Sequence, residues 1–172
     1  RPSHPPRARD VLGLGTVGVI AEPLTHATNA ELDALSALCL RSKAHWGYDA
    51  DFMSACTEVL SVTSRDLAHP NAVVRDGTTF AGYARLDLTD HTPELSKLFV
   101  CPKHMGTGVG TALITWAKTT ARRQDVSFLH VESDPEAASF YERHGAERIG
   151  EVPSEVIPNR SLPLLKLPTA NT

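Results

Sequence analysis

Three alternating glycines between an apolar run and an amphipathic helix constrain this chain more than any other feature. The segment Leu95–Arg122 reads LSKLFVCPKHMGTGVGTALITWAKTTAR. Its apolar start is closed by Pro102, which cannot continue a β ladder, while Val109, Leu113 and Trp116 recur at helical spacing. Glycines permit positive φ and the close approach of a ligand, and a helix N-terminus presents free N–H groups. A tight turn without a ligand does not require three glycines, so the segment predicts a phosphate-binding loop.

The same segment resembles the acetyl-coenzyme A motif of the GCN5-related N-acetyltransferase (GNAT) family. In that family a strand ends at a bulge, and a loop of the pattern Arg/Gln-x-x-Gly-x-Gly/Ala holds the pyrophosphate at a helix start. Here the pattern falls on Met105–Gly110, with Met in the place of Arg or Gln. Lys103 and His104 are candidates to supply the missing polar contact. No Gly-Lys-Ser/Thr follows, so the loop is not a Walker A motif.

This resemblance spans about residues 17–167 and implies acetyl-coenzyme A as a cosubstrate. It places the cofactor contacts on one strand end, the glycine loop and one helix start: Leu98, Phe99, Val100, Met105, Gly106, Thr107, Gly108, Val109, Gly110, Thr111 and Asp134. Asp134 stands where the family usually has Asn. A carboxylate accepts hydrogen bonds but cannot donate one unless it is protonated, so this contact differs from that of the family.

Amide formation from a thioester needs a base for the amine, a donor for the oxyanion and a proton for the departing thiolate. Tyr141 lies in DPEAASFYERHGA, which resembles the family's Asn-x-x-Ala-x-x-Phe-Tyr-x-x-x-Gly signature and implies a general acid. A phenol with a pKa of about 10 is protonated at neutral pH and can donate. Glu94 is the implied base, acting directly or through water, and a main-chain N–H near Leu98 is the implied oxyanion donor. A packed helix aromatic and an exposed strand-end carboxylate are the structural alternatives.

Two further pairs of residues are candidates for binding the acceptor. His45-Trp46-Gly47-Tyr48 falls between the first two predicted helices, and its aromatics suit an apolar or cationic ligand. Trp46 is equally consistent with a core residue between helices, so Tyr48 is the better candidate. His130 and Glu132 lie two residues apart on one face of the fifth strand, from which they can face the cleft.

The composition limits the class of partner. A chain of 172 residues with 41% hydrophobic and 22% charged residues fits one soluble domain. A net charge of −3 without a basic run argues against nucleic acid and anionic membranes, and no apolar run approaches a membrane span. Cys39, Cys56 and Cys101 lack CxxC spacing, which indicates free thiols and a reducing, cytoplasmic location. The histidines form no paired ligand motif, so we expect no metal.

The periodicity of the chain predicts the order β, α, α, β, β, β, α, β, α, β, β. We expect a mixed α/β (α+β) single domain, in which four helices flank a mostly antiparallel sheet of seven strands, as the family resemblance also implies. Residues 1–16 are predicted to be disordered, 17–167 to form the acetyltransferase domain and 168–172 a C-terminal tail. Val17–Ala21 is predicted as the first strand, Asp49–Leu60 as the second helix and Asp76–Gly77 as a type I′ hairpin turn.

The sequence therefore predicts an N-acetyltransferase that moves an acetyl group to a small-molecule amine by direct attack in a ternary complex. Two alternatives stay open: an enzyme that acetylates protein or peptide amines, and a coenzyme A-binding module without catalysis. Tyr141 together with Glu94 favours an active enzyme. Homodimers are common in the family, and the sequence leaves the oligomeric state open.

Overall fold

Seven strands form one sheet with four helices packed on its two faces. The computed structural model describes residues 18–89 and 91–170, so the predicted disordered segment 1–16 lies outside the described residues. The helices are α1 Asn29–Ala44, α2 Ala50–Cys56, α3 Val109–Arg123 and α4 Ala138–Arg143. The strands are β1 Glu22–Pro23, β2 Asn71–Asp76, β3 Thr79–Asp87, β4 Glu94–Val100, β5 Phe128–Glu132, β6 Glu147–Pro153 and β7 Ser161–Pro168. The predicted fold class and element order are confirmed.

The strand order β1-β2-β3-β4-β5-β7-β6 contains a single parallel pair, β4 with β5. All the other neighbours are antiparallel. The parallel pair is joined at one position, Glu94 opposite His130, where the His130 N–H donates to the Pro93 carbonyl at 2.8 Å. Beyond this position the two strands diverge, so the sheet opens in its middle.

Helices on the two faces of the sheet create two hydrophobic cores. Under α3 and α4, the side chains of Leu113, Leu129 and Leu165 are fully buried. Under α1 and α2, Leu35 and Leu38 are fully buried in a second cluster that also contains Tyr83. The two cores fix helices on both sides of the point where β4 and β5 separate.

One glycine allows α3 to lie close to the sheet. A Cβ atom at Gly82 in β3 would lie 2.6 Å from Val109 Cγ1 and 2.8 Å from Leu113 Cδ1. Such contacts are much shorter than carbon–carbon van der Waals distances. The first turn of α3 can therefore approach β3 only because residue 82 has no side chain.

Local capping signals set several of the helix ends. Thr28 and Glu31 form a reciprocal capping box at the start of α1. Asp134 accepts a hydrogen bond from the Glu136 N–H at 2.9 Å, just before the short 3₁₀ turn that leads into α4. Gly145 follows α4 with a φ of 95°, the left-handed conformation expected of a terminating glycine.

Two predicted element boundaries differ from the structure. The first strand is Glu22–Pro23 rather than Val17–Ala21, because pairing with β2 begins only at Glu22, opposite Val73. The second helix ends at Cys56 rather than Leu60, and the following residues form turns that bring Leu60 and Val62 into the α1 core.

The hairpin between β2 and β3 also differs from its prediction. The two loop residues are Gly77 and Thr78, since Asp76 pairs with Thr79. Only Gly77 has a positive φ, 59°, so the loop lacks the second positive φ that a type I′ turn requires.

At the C-terminal end, β7 extends to Pro168, the first residue of the predicted tail. Thr169 is 1% exposed, and its hydroxyl donates to the Val126 carbonyl at 2.8 Å. These residues pack against the domain.

Across residues 18–89 and 91–170, no helix is both long and apolar enough to cross a membrane. Cys39, Cys56 and Cys101 are free thiols, and all three are buried.

Candidate active site

The divergence of β4 and β5 opens a cleft of about 630 Å³. Its walls come from both strands, the C-terminal part of α1, the start of α3, α4 and the loop between β6 and β7. Glu94 and Tyr141 both line it, as do Leu98, Val100 and the glycine loop. The cleft therefore brings together the predicted base, the predicted acid and the predicted cofactor loop, which are far apart in the sequence.

The backbone of β4 offers hydrogen-bonding groups to this cleft. The Cys101 N–H donates to the Ala81 carbonyl of β3 at 2.8 Å, and N–H groups alternate between the two edges of a strand. The N–H groups of Leu98 and Val100 therefore point to the opposite edge, where β5 has moved away. The N–H of Phe99 points to β3, so Leu98 and Val100 are the better placed of the three predicted backbone contacts.

The irregularity in β4 lies earlier than the resemblance implies. Arg85 pairs with Lys97 and Leu86 with Leu95, which leaves Ser96 as an extra residue in β4. The Ser96 hydroxyl donates to the Arg85 carbonyl at 3.1 Å. The bulge thus falls two residues before Leu98, near Glu94.

The glycine loop has the conformation that a phosphate site needs. Gly106 and Gly108 have φ values of 76° and 92°, which a residue with a side chain adopts at a cost. Gly108 is the N-cap of α3, and within the described part of the chain no side chain caps the helix there, so its first N–H groups have no side-chain acceptor. Gly110 is also close-packed, because a Cβ there would lie 3.1 Å from the Phe140 ring.

Two of the polar side chains around this loop are already hydrogen-bonded within the protein, and a third is exposed. His104 is hydrogen-bonded to Asp76 at 2.8 Å, so it is already engaged. The Thr107 hydroxyl donates to the His104 carbonyl at 2.5 Å and turns back onto the loop. The exposed Lys103 therefore remains as the candidate cation beside Met105.

Glu94 is a half-buried carboxyl at the point where β4 and β5 separate. Burial raises its pKa, and the nearby charges of Glu132, Asp87 and Glu155 raise it further. Burial and Glu155 likewise raise the pKa of Glu132. A carboxyl with a raised pKa is a stronger base once ionised, which suits proton removal from an amine.

Tyr141 is 6% exposed in the cleft wall, and its neighbour Phe140 packs edge-on against it at 5.2 Å between ring centroids. Burial raises the pKa of the Tyr141 hydroxyl, and the charge of Asp134 raises it further. The hydroxyl is therefore protonated at neutral pH and can donate a proton.

Asp134 is held by donors from three other segments of the chain. Its Oδ2 accepts from Lys43 Nζ at 2.5 Å and from the Tyr48 hydroxyl at 2.7 Å. Arg160 donates to the Tyr48 hydroxyl at 2.7 Å and lies 3.7 Å from Asp134 Oδ2. Burial opposes ionisation of Asp134, but the bonds from Lys43, the Glu136 N–H and Tyr48 outweigh it and lower its pKa. The carboxylate that the resemblance assigns to the cofactor thus already accepts protein donors.

Two of the four predicted acceptor residues line the cleft in the structure, and two do not. Trp46 is 38% exposed and lines the cleft, as does Glu132. Tyr48 stacks on Phe52 with 3.9 Å between ring centroids, behind the cleft wall, and its hydroxyl is bonded as described above. His130 packs beside Phe128 rather than lining the cleft, although it shares a face with Glu132.

The cleft residues that the sequence does not predict include Lys43, Glu155 and Arg160. Lys43 lies in the last turn of a helix and the other two in an irregular loop, so none belongs to a local motif. Their roles depend on contacts across 91 and 112 residues of chain, between Lys43 and Asp134 and between Tyr48 and Arg160. Among the residues that the structure describes, no group of three or more His, Cys, Asp or Glu side chains is placed to hold a metal.

Comparison with known proteins identifies the sequence family. Residues 52–155 match the family described as Acetyltransferase (GNAT) domain. No curated protein sequence matches the chain.

Solved structures share the fold at low sequence identity. A GCN5-related N-acetyltransferase from Rhodopseudomonas palustris superposes with a TM-score of 0.69 and 16% identity, over 88% of this chain and 96% of that one. An aminoglycoside 6′-N-acetyltransferase complexed with coenzyme A gives 0.64 and 14%, over 89% and 98%. The ribosomal-protein-S18-alanine N-acetyltransferase of Escherichia coli gives 0.61 and 15%, over 89% and 96%.

Proposed function

Because the chain belongs to the GNAT acetyltransferase family, whose members use acetyl-coenzyme A, we propose that it acetylates a small-molecule amine by direct attack in a ternary complex. The observation that carries this proposal is the placement of Glu94, the Leu98 N–H and Tyr141 around one cleft. These three groups supply the base, the oxyanion donor and the acid that amide formation from a thioester needs.

The donor side of the cleft fits acetyl-coenzyme A. The unpaired N–H groups at the start of α3 suit the pyrophosphate, and the positive end of the helix dipole adds to the attraction. The first turn of α3 carries no acidic residue that would repel it. Leu98 and Val100 present free edge groups to the pantetheine amides, in the manner of an added strand.

Three residues have distinct roles in the transfer. Glu94 accepts a proton from the acceptor amine, directly or through water. The N–H of Leu98 donates to the acetyl oxygen as negative charge develops there. Tyr141 donates its proton to the departing sulfur, and the buried position of the hydroxyl keeps that proton in place at neutral pH.

The acceptor side of the cleft favours a positively charged amine. Glu94, Glu132 and Glu155 all line the cleft, which places several negative charges where the acceptor would enter. Glu132 and Glu155 both raise the pKa of Glu94 beyond the effect of burial. The exposed Trp46 ring offers a face for a cation or an alkyl chain. We infer an acceptor with a primary amine and a second cationic group, such as a diamine or an amino sugar.

A panel of amines assayed for thiol release from acetyl-coenzyme A tests the proposal. The panel contains diamines, amino sugars, neutral alkylamines, amino acids and peptides with a free N-terminus. Diamines and amino sugars should give the highest kcat/KM, and Glu132→Gln should raise the KM for them more than for a neutral alkylamine. The exposed Glu147→Gln on β6 serves as the control for a lost carboxylate.

Two results would replace the proposal with its alternatives. Peptides as the preferred acceptors would indicate a protein or peptide acetyltransferase. Tight coenzyme A binding by calorimetry, without transfer to any class of amine, would indicate a binding module.

A further inference from the structure

Two cations line the cleft beside a single carboxylate. Lys43 lies in the last turn of α1 and Arg160 at the end of the β6–β7 loop. Lys43 Nζ donates to Asp134 Oδ2 at 2.5 Å, and Arg160 Nη2 lies 3.7 Å from the same oxygen. Within residues 18–89 and 91–170, no other carboxylate lies at ion-pair distance from either cation. Two positive charges therefore share one negative charge, and one positive charge is left unbalanced.

Both cations are supported on the side away from the cleft. They lie over the stacked rings of Tyr48 and Phe52, at 4.9 to 5.8 Å from the ring centroids, and neither ring lines the cleft. The side chains of Lys43 and Arg160 are 14% and 20% exposed. Cations held in this way lose little side-chain freedom when a ligand binds, which favours affinity.

Arg160 keeps hydrogen-bond donors that the protein does not use. A guanidinium has five N–H donors, and the Tyr48 hydroxyl accepts one of them at 2.7 Å. In the part of the chain that the structure describes, no nitrogen of Arg160 is both buried and without a partner. The remaining N–H groups are therefore accessible to a ligand, and their planar arrangement matches the two oxygens of a carboxylate.

We propose that Lys43 and Arg160 bind a carboxylate of the acceptor, which makes the acceptor a diamino acid. The inference rests on the proposed function and narrows it, since a diamino acid has a primary amine and a second cationic group and adds a carboxylate to them.

The charges of the cleft favour this ligand and its orientation. One unbalanced positive charge matches the single charge of a carboxylate, whereas a phosphate monoester carries about −1.5 to −2 at pH 7. Glu94, Glu132 and Glu155 line the same cleft and would repel a carboxylate while they attract amines. The acceptor should therefore bind with its amines toward these three residues and its carboxylate at Lys43 and Arg160.

Three acceptors that differ around the carboxylate test the proposal. L-Lysine carries this group, L-lysinamide replaces it by a neutral amide of similar size, and 1,5-diaminopentane lacks it. L-Lysine should have a kcat/KM at least about 10-fold higher than the other two, because its carboxylate accepts charge-assisted hydrogen bonds from the cations. L-Ornithine and 1,4-diaminobutane repeat the comparison with a shorter chain.

Variants of Arg160 test whether the guanidinium causes this preference. In Arg160→Gln, an amide can still donate to the Tyr48 hydroxyl, but the KM for L-lysine should rise about 10-fold with a smaller change in kcat. Its preference for L-lysine over 1,5-diaminopentane should largely disappear, whereas Arg160→Lys, which keeps the charge without the planar fork, should keep part of it. Arg148→Gln is the matched control, because Arg148 pairs with Glu151 outside the cleft.

Calorimetry separates this inference from the proposed function. L-Lysine should bind the enzyme–coenzyme A complex at least about 10-fold more tightly than L-lysinamide in the wild type and in Arg148→Gln, but not in Arg160→Gln. Binding needs no turnover, so this result would support the carboxylate site even if no amine were acetylated. Acetylation of 1,5-diaminopentane as fast as that of L-lysine would support the proposed function without the carboxylate site.

The proposal is overturned if the wild type binds L-lysine no more tightly than L-lysinamide, or if Arg160→Gln keeps the full preference. An equal loss of coenzyme A affinity in Arg160→Gln would also overturn it, because the cations would then serve the phosphates of the cofactor. If Arg160→Gln does not fold by circular dichroism, Lys43→Met takes its place, and an unchanged preference for L-lysine there contradicts the proposal.

Discussion

At the scale of single residues, the proposed chemistry of the cleft depends on two groups whose pKa values are shifted in the same direction for opposite purposes. Burial raises the pKa of Tyr141, which keeps an acid protonated. Burial and neighbouring carboxylates raise the pKa of Glu94, which strengthens a base. The same physical cause therefore serves both halves of a proton transfer.

Removing the Tyr141 hydroxyl should slow turnover sharply. General acid assistance is worth about 10²–10⁴-fold, so Tyr141→Phe should lower kcat by that order while the calorimetric affinity for coenzyme A changes little. Tyr83→Phe is the matched control, because the Tyr83 hydroxyl is buried, has no hydrogen-bond partner among the described residues and lies outside the cleft. It should keep full turnover and unfold at an equal or higher denaturant concentration. A wild-type kcat in Tyr141→Phe, when chemistry limits the rate, would exclude this acid.

The raised pKa of Glu94 sets the acidic side of the pH profile. A base must be ionised to act, so kcat/KM should fall as pH drops through a value above the ordinary range for Glu. Glu132→Gln removes a neighbouring negative charge, which lowers the pKa of Glu94 and should move this limb to lower pH. In Glu94→Gln, the fall of kcat/KM at low pH should be absent. An acidic limb at the same pH in Glu94→Gln and in the wild type would assign the base elsewhere.

At the scale of elements, the start of α3 is the feature to which we assign the pyrophosphate of the cofactor. Gly108→Asp adds a side chain at a φ of 92° and a negative charge beside the first N–H groups of the helix. Coenzyme A affinity should fall more than about 100-fold, equivalent to ~2.7 kcal/mol. Gly47→Asp is the control, because Gly47 has a φ of 86° and open space around it but lies in the α1–α2 turn.

Both variants carry similar backbone strain, so only the electrostatic and steric effect at the helix start differs between them. Calorimetry gives the affinity, and circular dichroism shows whether each variant folds. Equal losses of coenzyme A affinity in the two variants would show that the pyrophosphate does not bind at this loop.

Element order and several helix ends could be predicted because their causes are local. The capping box at Thr28 and the terminating Gly145 act through neighbours three or four residues away. The first strand could not be placed correctly, because Glu22 becomes a strand residue only by pairing with Val73. Local apolarity favours Val17–Ala21, but the partner strand decides.

The same limit applies to the candidate site: residues that belong to local sequence patterns could be predicted, and those placed by distant contacts could not. The glycine loop, Glu94 and Tyr141 belong to local patterns, and the structure places them in one cleft. The position of Tyr48 depends on Asp134 and on Arg160, which lies 112 residues further along the chain. A contact between residues so far apart cannot be read from local composition. The sequence therefore assigns Tyr48 to the acceptor pocket, whereas in the structure Tyr48 is not among the residues that line the cleft.

At the scale of the whole molecule, a buried charge cluster ties together the strands beneath the cleft. Asp66 is 5% exposed at its side chain and accepts from Arg85 of β3 at 3.0 Å and from Lys97 of β4 at 3.1 Å. Lys97 also donates to the Ser61 carbonyl at 2.7 Å. Burial opposes ionisation of Asp66, but the Thr63 N–H and the two cations outweigh it and lower its pKa. The cluster therefore joins β3 and β4 at the position where Arg85 pairs with Lys97.

Asp66→Asn should destabilise the fold at neutral pH by about 3–5 kcal/mol, because it leaves two half-buried cations without their carboxylate. The folded pKa of Asp66 is depressed, so its contribution is present above the unfolded value of about 3.9 and is lost as pH falls through the lower folded value. Urea unfolding of the wild type and of Asp66→Asn should therefore converge in that acid range. Exposed Asp33→Asn should show no gap at any pH, and a constant gap for Asp66→Asn would contradict the ionic origin.

Because β4 and β5 pair at a single position, some backbone amides in the centre of this sheet should exchange with deuterium as fast as amides at a sheet edge. Backbone amides in a central strand normally exchange with deuterium only when the sheet opens. The amides of Leu98 and Val100 face the gap instead, whereas that of Cys101 is bonded to Ala81. We expect alternate slow and fast exchange along β4, and protection of the two fast amides when coenzyme A binds. The cofactor then completes the sheet as a missing strand would.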